Sequence, residues 1–222
     1  MVDPKPEPVS FYLEGQTRYA FGDRWQFGIE CEVQDCDVDP WGTLQPFGSF
    51  WLWVGGRAIG NTDVSEQLTI AFSQLRSSAR FAGKRSGARF PGMSNVDKLD
   101  FVRWVGWGED HEFCAERWGH RNLDEARAED VGSYWVVPPG HSPSFDNWEV
   151  ILLEEETTET LIWRYQKEGL AECEEATVPS GTFAEICLNA CDWFDRLQVQ
   201  RMGSTLREPE PDQKPRFLPR IY

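Results

Sequence analysis

The clearest periodicity lies at residues 25–33, where Trp25, Phe27, Ile29, Cys31 and Val33 alternate with Gln26, Gly28, Glu30 and Glu32. A period of two places these sets on opposite faces, so the segment predicts a half-buried strand with its apolar set inward. Residues 34–46 read as a loop punctuated by Asp35, Asp37 and Asp39, and residues 47–54 as a strand apolar on both faces. Gly55 and Gly56 tolerate the positive φ of a tight turn, which returns residues 57–60 antiparallel to the preceding strand. Asp63 with Glu66 three positions on has capping-box spacing, so a helix is expected from Asp63, striped by Val64, Leu68, Ala71, Phe72 and Leu75.

Residues 76–93 read as a basic, Gly-containing loop, and residues 96–107 lean to helix. Residues 110–130 are charged and irregular with a helical turn or two, and residues 133–137 form a strand ended by Pro138 and Pro139. Residues 148–155 and 160–167 make a hairpin, and residues 172–178 add a strand. Pro179 and Ser180 then open a helix to about Leu197, with Phe183, Ile186, Cys187, Ala190, Cys191, Phe194 and Leu197 as its apolar stripe. This order predicts the α+β class, a mainly antiparallel sheet with helices packed on one face.

A length of 222 residues suits one large domain with appendages. The expected division is a flexible leader at 1–8, a single domain at 9–200 and a Pro-rich tail at 201–222. The tail's Pro209, Pro211, Pro215 and Pro219 exclude a regular helix there. Its closing Phe217, Leu218, Ile221 and Tyr222 either strap back onto the body or stay mobile. The first ten residues hold no apolar run of signal-peptide type, and no stretch reaches about 18 apolar residues. A cytoplasmic protein with no membrane partner is therefore expected. The six cysteines contain no C-x-x-C and read as reduced thiols, with Cys187 and Cys191 sharing a helix face.

The formal charge is −15, which repels phosphate backbones and argues against a nucleic-acid partner. The charge is uneven: residues 131–177 carry 10 acids against 2 bases, whereas residues 61–105 carry 7 bases against 4 acids. The acid-rich hairpin of Glu154, Glu155, Glu156 and Glu159, with Glu174 and Glu175 after it, offers a surface that could steer a basic protein. Such carboxylates also serve simple solvation. The basic run Arg76, Arg80, Lys84, Arg85 and Arg89 reads as a solvated loop.

Catalytic motifs fail in turn. His111-Glu112 begins like a zincin helix, but Ala115 stands where the second ligand is needed. His111, Cys114 and His120 match no standard zinc spacing. There is no G-x-S-x-G elbow and no P-loop, and His111 breaks the glycine pattern begun at Gly106. His141-Ser142 reads as a turn. No cofactor is expected.

The strand at residues 25–33, the run PFGSFWLWVGGRAIGN at 46–61 with the helix after it, LIWRY at 161–165 and VPSGTF at 178–183 together resemble the immunity protein 42 family of bacterial polymorphic toxin systems. The resemblance spans about residues 25–197. Asn61 stands where the family more often has Asp, and the acidic loop, basic loop and tail are longer than typical. The resemblance implies a non-enzymatic cytoplasmic protein that binds and blocks a cognate toxin domain. Asp35, Asp37, Asp39 and the acid-rich hairpin are then the candidate contacts for a basic partner. A carbohydrate- or peptide-binding accessory module using exposed tryptophans is the alternative reading, and a hydrolase using carboxylates or His111 a more distant one.

Overall fold

The alternation at Phe27, Ile29, Cys31 and Val33 builds the central strand of a six-stranded antiparallel sheet. The computed structural model describes residues 10–13, 16–38, 44–107, 131–137, 142–166 and 173–205. In chain order β1 (Ser10–Leu13), β2 (Gln16–Gly22), β3 (Phe27–Val38), β4 (Leu44–Val54) and β5 (Arg57–Ile59) lie side by side, and β6 (Glu66–Gln67) also pairs with β4. A second sheet holds β7 (Trp148–Glu154), β8 (Thr158–Tyr165) and β9 (Glu174–Pro179), all antiparallel. The helices are α1 (Leu68–Ala79), α2 (Asn95–Trp107) and α3 (Thr182–Thr205). The class is α+β, as the pattern predicts.

One face of the larger sheet is apolar because period two delivers Phe27, Ile29, Cys31 and Val33 from β3 and Phe50, Leu52 and Val54 from β4 to the same side. Helices α1 and α3 cover it. Phe72 and Phe194 stack with ring centroids 4.2 Å apart, Phe27 meets Phe183 at 5.1 Å, and Trp193 touches Tyr19 and Phe21.

The smaller sheet is buried on both sides, which explains the unbroken apolar run Val150, Ile151, Leu152, Leu153. Val150, Leu152, Leu161 and Trp163 join the main core. Ile151, Leu153 and Ile162 form a second core with Phe90, Tyr134 and the α2 residues Leu99, Phe101, Val102, Trp104 and Val105.

Several local expectations differ. Trp25 lies outside β3, in the turn from Gly22 to Phe27, and is exposed; Glu30, on the face expected to be polar, is buried. Residues 34–38 and 44–46 are strand, not loop: β3 and β4 stay paired past a register shift between Val33 and Asp35. Gly48 makes this possible, since a Cβ there would lie 1.8 Å from the Glu32 carbonyl oxygen.

The helix after β5 begins at Leu68, with no side-chain cap, five residues beyond Asp63. Tertiary pairing overrides the capping box: Glu66 and Gln67 join β4 opposite Gly48 and Phe47, and the buried Glu66 carboxylate accepts a 2.6 Å hydrogen bond from Ser142 Oγ. Helix α1 runs on to Ala79, so residues 76–79 are not loop. Residues 131–134 form a 3-10 turn, and only Trp135 makes a single bridge, to Ile151, where a strand is expected. Helix α3 continues past Leu197 to Thr205.

Candidate functional site

The acidic candidates separate into groups that do not converge. Asp35 and Asp37 sit on β3 opposite Phe47 and Gln45, toward the end of the sheet away from the β2–β3 turn. Asp39 lies outside the described residues, as do His111, Cys114 and His120. Among the described residues no group of three or more His, Cys, Asp or Glu could hold a metal ion.

Glu154 and Glu159 are occupied internally. The Glu154 carboxylate accepts a 3.1 Å hydrogen bond from the backbone N–H of Arg85 and lies 3.4 Å from that guanidinium. Arg85 is fully buried, which corrects its expected place in a solvated loop. Its Nε donates to the Ser133 carbonyl at 2.7 Å, and its Nη2 donates to the carbonyl and hydroxyl oxygens of Ser78. Glu159 accepts from the backbone N–H groups of Gly181 (2.7 Å) and Phe183 (2.8 Å). A strand carboxylate thereby satisfies amide groups at the start of α3 and complements that helix's dipole.

Glu155 and Glu156 are exposed on the β7–β8 turn. Glu174 meets Arg57 at 2.9 Å, and Glu175 accepts a 2.7 Å hydrogen bond from Asn95. Thr158 pairs with Pro179 and Trp163 with Glu174, so Glu174 stands five residues along the sheet from that turn. At about 3.3 Å per residue the two acid groups are roughly 16 Å apart along the strand.

A different constellation forms where the β2–β3 turn, the β4–β5 turn and β9 meet. The Asp23 carboxylate accepts from the backbone N–H of Trp25 at 2.8 Å, the short-range bond by which Asp sets a turn. Gly55 N–H donates to the Gln26 carbonyl at 3.0 Å and Gly56 N–H to the Arg24 carbonyl at 2.8 Å, tying the two turns together. The Trp25 ring lies over Gly56, where a Cβ would come within 2.6 Å of it, and Trp25 remains 73% exposed. Gly55 borders Ala176 of β9, and the Arg57–Glu174 pair completes the junction.

Behind this corner, on the sheet face away from α1 and α3, Glu30 organises four side chains. The indoles of Trp51 (3.1 Å) and Trp53 donate to its Oε2, Arg18 Nε donates to Oε1 at 2.9 Å, and Arg24 Nη2 lies 3.8 Å from Oε1. The guanidinium of Arg18 stacks over Trp51 at 4.8 Å and that of Arg24 over Trp53 at 4.7 Å. Burial pushes the Glu30 carboxyl up, but the hydrogen bonds from Arg18 and Trp53 and the charges of Arg18 and Arg24 outweigh it and hold it below the usual value. The signal for the exposed turn was Gly22-Asp23 ahead of Trp25, a turn pair that the period-two pattern masks.

The buried thiols have no nucleophilic setting. Burial pushes Cys187 well up and Cys191 up to about 11, against the opposing charge of Arg76.

The model of a family described as immunity protein 42 matches residues 19–193. The fold is similar to the crystal structure of CdiI from Burkholderia dolosa AUO158, with a TM-score of 0.51 and 14% identity, covering 77% of this chain and 97% of that one. No curated protein matches the chain.

Proposed function

The chain belongs to the immunity protein 42 family, and from that premise we propose that it is a non-enzymatic inhibitor that binds a cognate toxin domain by direct contact in the cytoplasm. The family match over residues 19–193 carries this reading. The architecture supports it: an inhibitor needs a surface held in shape before the partner arrives, because ordering side chains on binding costs affinity. The hydrogen-bonded turns around Trp25 and the Glu30 cluster are held in that way.

The partner is a toxin domain of basic character, steered by a chain whose formal charge is −15. Glu155, Glu156 and Glu175 are exposed carboxylates suited to such contacts, whereas Glu154 and Glu159 serve the fold. Asp35 and Asp37 remain proposed contacts at the far end of β3, with Asp39 beside them in sequence.

Co-expression with the toxin domain encoded by the neighbouring gene tests the proposal. The expected result is a complex that co-purifies and a toxin whose growth inhibition is relieved. A toxin that stays unbound and fully active beside the folded chain would overturn it.

A further inference from the structure

We propose that Trp25 and Arg24 form the anchor of the toxin interface, the indole entering an apolar pocket on the toxin domain and the guanidinium pairing with a carboxylate at the mouth of that pocket. This rests on the inhibitory role proposed above and assigns it a surface.

Trp25 is the most exposed large hydrophobic side chain of the described residues, yet its turn is held by hydrogen bonds. Asp23 fixes its N–H, and two backbone hydrogen bonds lock its turn to Gly55 and Gly56. Gly56 has φ +83 and presents no side chain, so the ring rests against it without being covered. A rigid, presented indole loses little freedom on docking, which is the property of an interface hot spot.

Arg24 supplies the second half. Its side chain is 54% exposed, its guanidinium carbon lies over the Trp53 ring 4.7 Å from the centroid, and its nearest carboxylate, Glu30, is 3.8 Å away, outside hydrogen-bond length. Among the described residues it therefore holds its place by stacking and charge while leaving its N–H groups to a partner. A planar guanidinium held this way matches the two oxygens of a carboxylate. A polyanion fits less well, because the molecule's own charge of −15 opposes it while a single carboxylate inside a protein surface meets Arg24 locally. Glu174, on the same face of β9 as the Ala176 that borders Gly55, pairs with Arg57 at 2.9 Å and places acid beside the anchor.

The test uses the full chain and the toxin domain encoded by the neighbouring gene, with Kd measured by calorimetry. Trp25→Ala is expected to weaken binding by at least about 30-fold, and Arg24→Gln by about 10-fold. Both should leave the melting temperature within a few degrees, as Trp25 is exposed and Arg24 is half-exposed with only a long ion pair to Glu30, which Arg18, Trp51 and Trp53 still hold. Arg24→Gln, which leaves the indole in place and adds no second carboxylate beside buried Glu30, reads the anchor even if Trp25→Ala loses its fold. Kd values for the Trp25 and Arg24 variants within twofold of wild type would overturn the anchor while leaving the inhibitory role intact. A wild-type chain that does not bind the toxin would overturn both. Salt-sensitive retention of single-stranded RNA through Arg24, with no toxin binding, would overturn the anchor in favour of phosphate contact.

Discussion

Arg85 and Glu154 hold each other through both backbone and side chain: Glu154 N–H donates to the Arg85 carbonyl at 2.7 Å, while the Glu154 carboxylate takes the Arg85 N–H at 3.1 Å and lies 3.4 Å from its guanidinium. The pair joins the loop after α1 to the end of β7, and Arg85 also reaches Ser78 and Ser133. Removing one member of a buried, hydrogen-bonded pair strands the other, at a cost of about 3–5 kcal/mol. Arg85→Ala should therefore lower the melting temperature by roughly 10 °C in a chain of this size, measured by calorimetry. A change of under two degrees would show that the pair contributes little.

Glu159 should stabilise α3 without belonging to any interface. Glu159→Ala leaves the N–H groups of Gly181 and Phe183 without their acceptor and should cost about 1–2 kcal/mol in urea unfolding. Charge reversal at Glu155 and Glu156 should leave that stability unchanged. If these two carboxylates steer the toxin, the same reversal lowers the association rate and its salt dependence, with little change in dissociation. An unaltered association rate in stopped flow would remove them from the interface.

The Glu30 cluster should titrate. Its carboxyl lies below the usual value in the folded chain, so its charged form stabilises the fold at neutral pH. That contribution is complete above about pH 4.5, the ordinary glutamate value, and is lost as pH falls through the lower folded value. The melting-temperature gap between wild type and Glu30→Gln should thus be widest near pH 7 and close progressively below pH 4.5. A gap independent of pH would contradict the assignment.

Alkylation should sort the thiols. With a pKa of about 11, Cys191 is thiolate to only about one part in a thousand at pH 8, and Cys31 and Cys187 are fully buried. Brief iodoacetamide treatment of the native chain followed by peptide mapping should leave these three unmodified, whereas denaturation exposes them all.

Trp25→Ala also bears on how far the chain can be read before it is folded. Period-two alternation at Phe27, Ile29, Cys31 and Val33, the apolar run at 150–153 and the stripe from Phe183 to Leu197 are local signals, and they determine the strands, the hairpins and the α+β class. The resemblance carried by residues 46–61 and 161–165 reached the family for the same reason, since those motifs are short stretches of the framework. The fate of each polar side chain is different, because burying a charge requires a partner whose position only the assembled fold supplies. Arg85 finds Glu154 69 residues away, and Glu30 finds Trp51 and Trp53 across the β3–β4 pairing. Glu66 leaves a local cap for Ser142, 76 residues on. Trp25 follows the same logic in reverse: its place in an apolar alternation puts it inside, but the Asp23 turn and Gly56 hold it at the surface. Sequence periodicity determined which residues could make a core, and only tertiary structure decided which charges entered it and that Trp25 stayed outside.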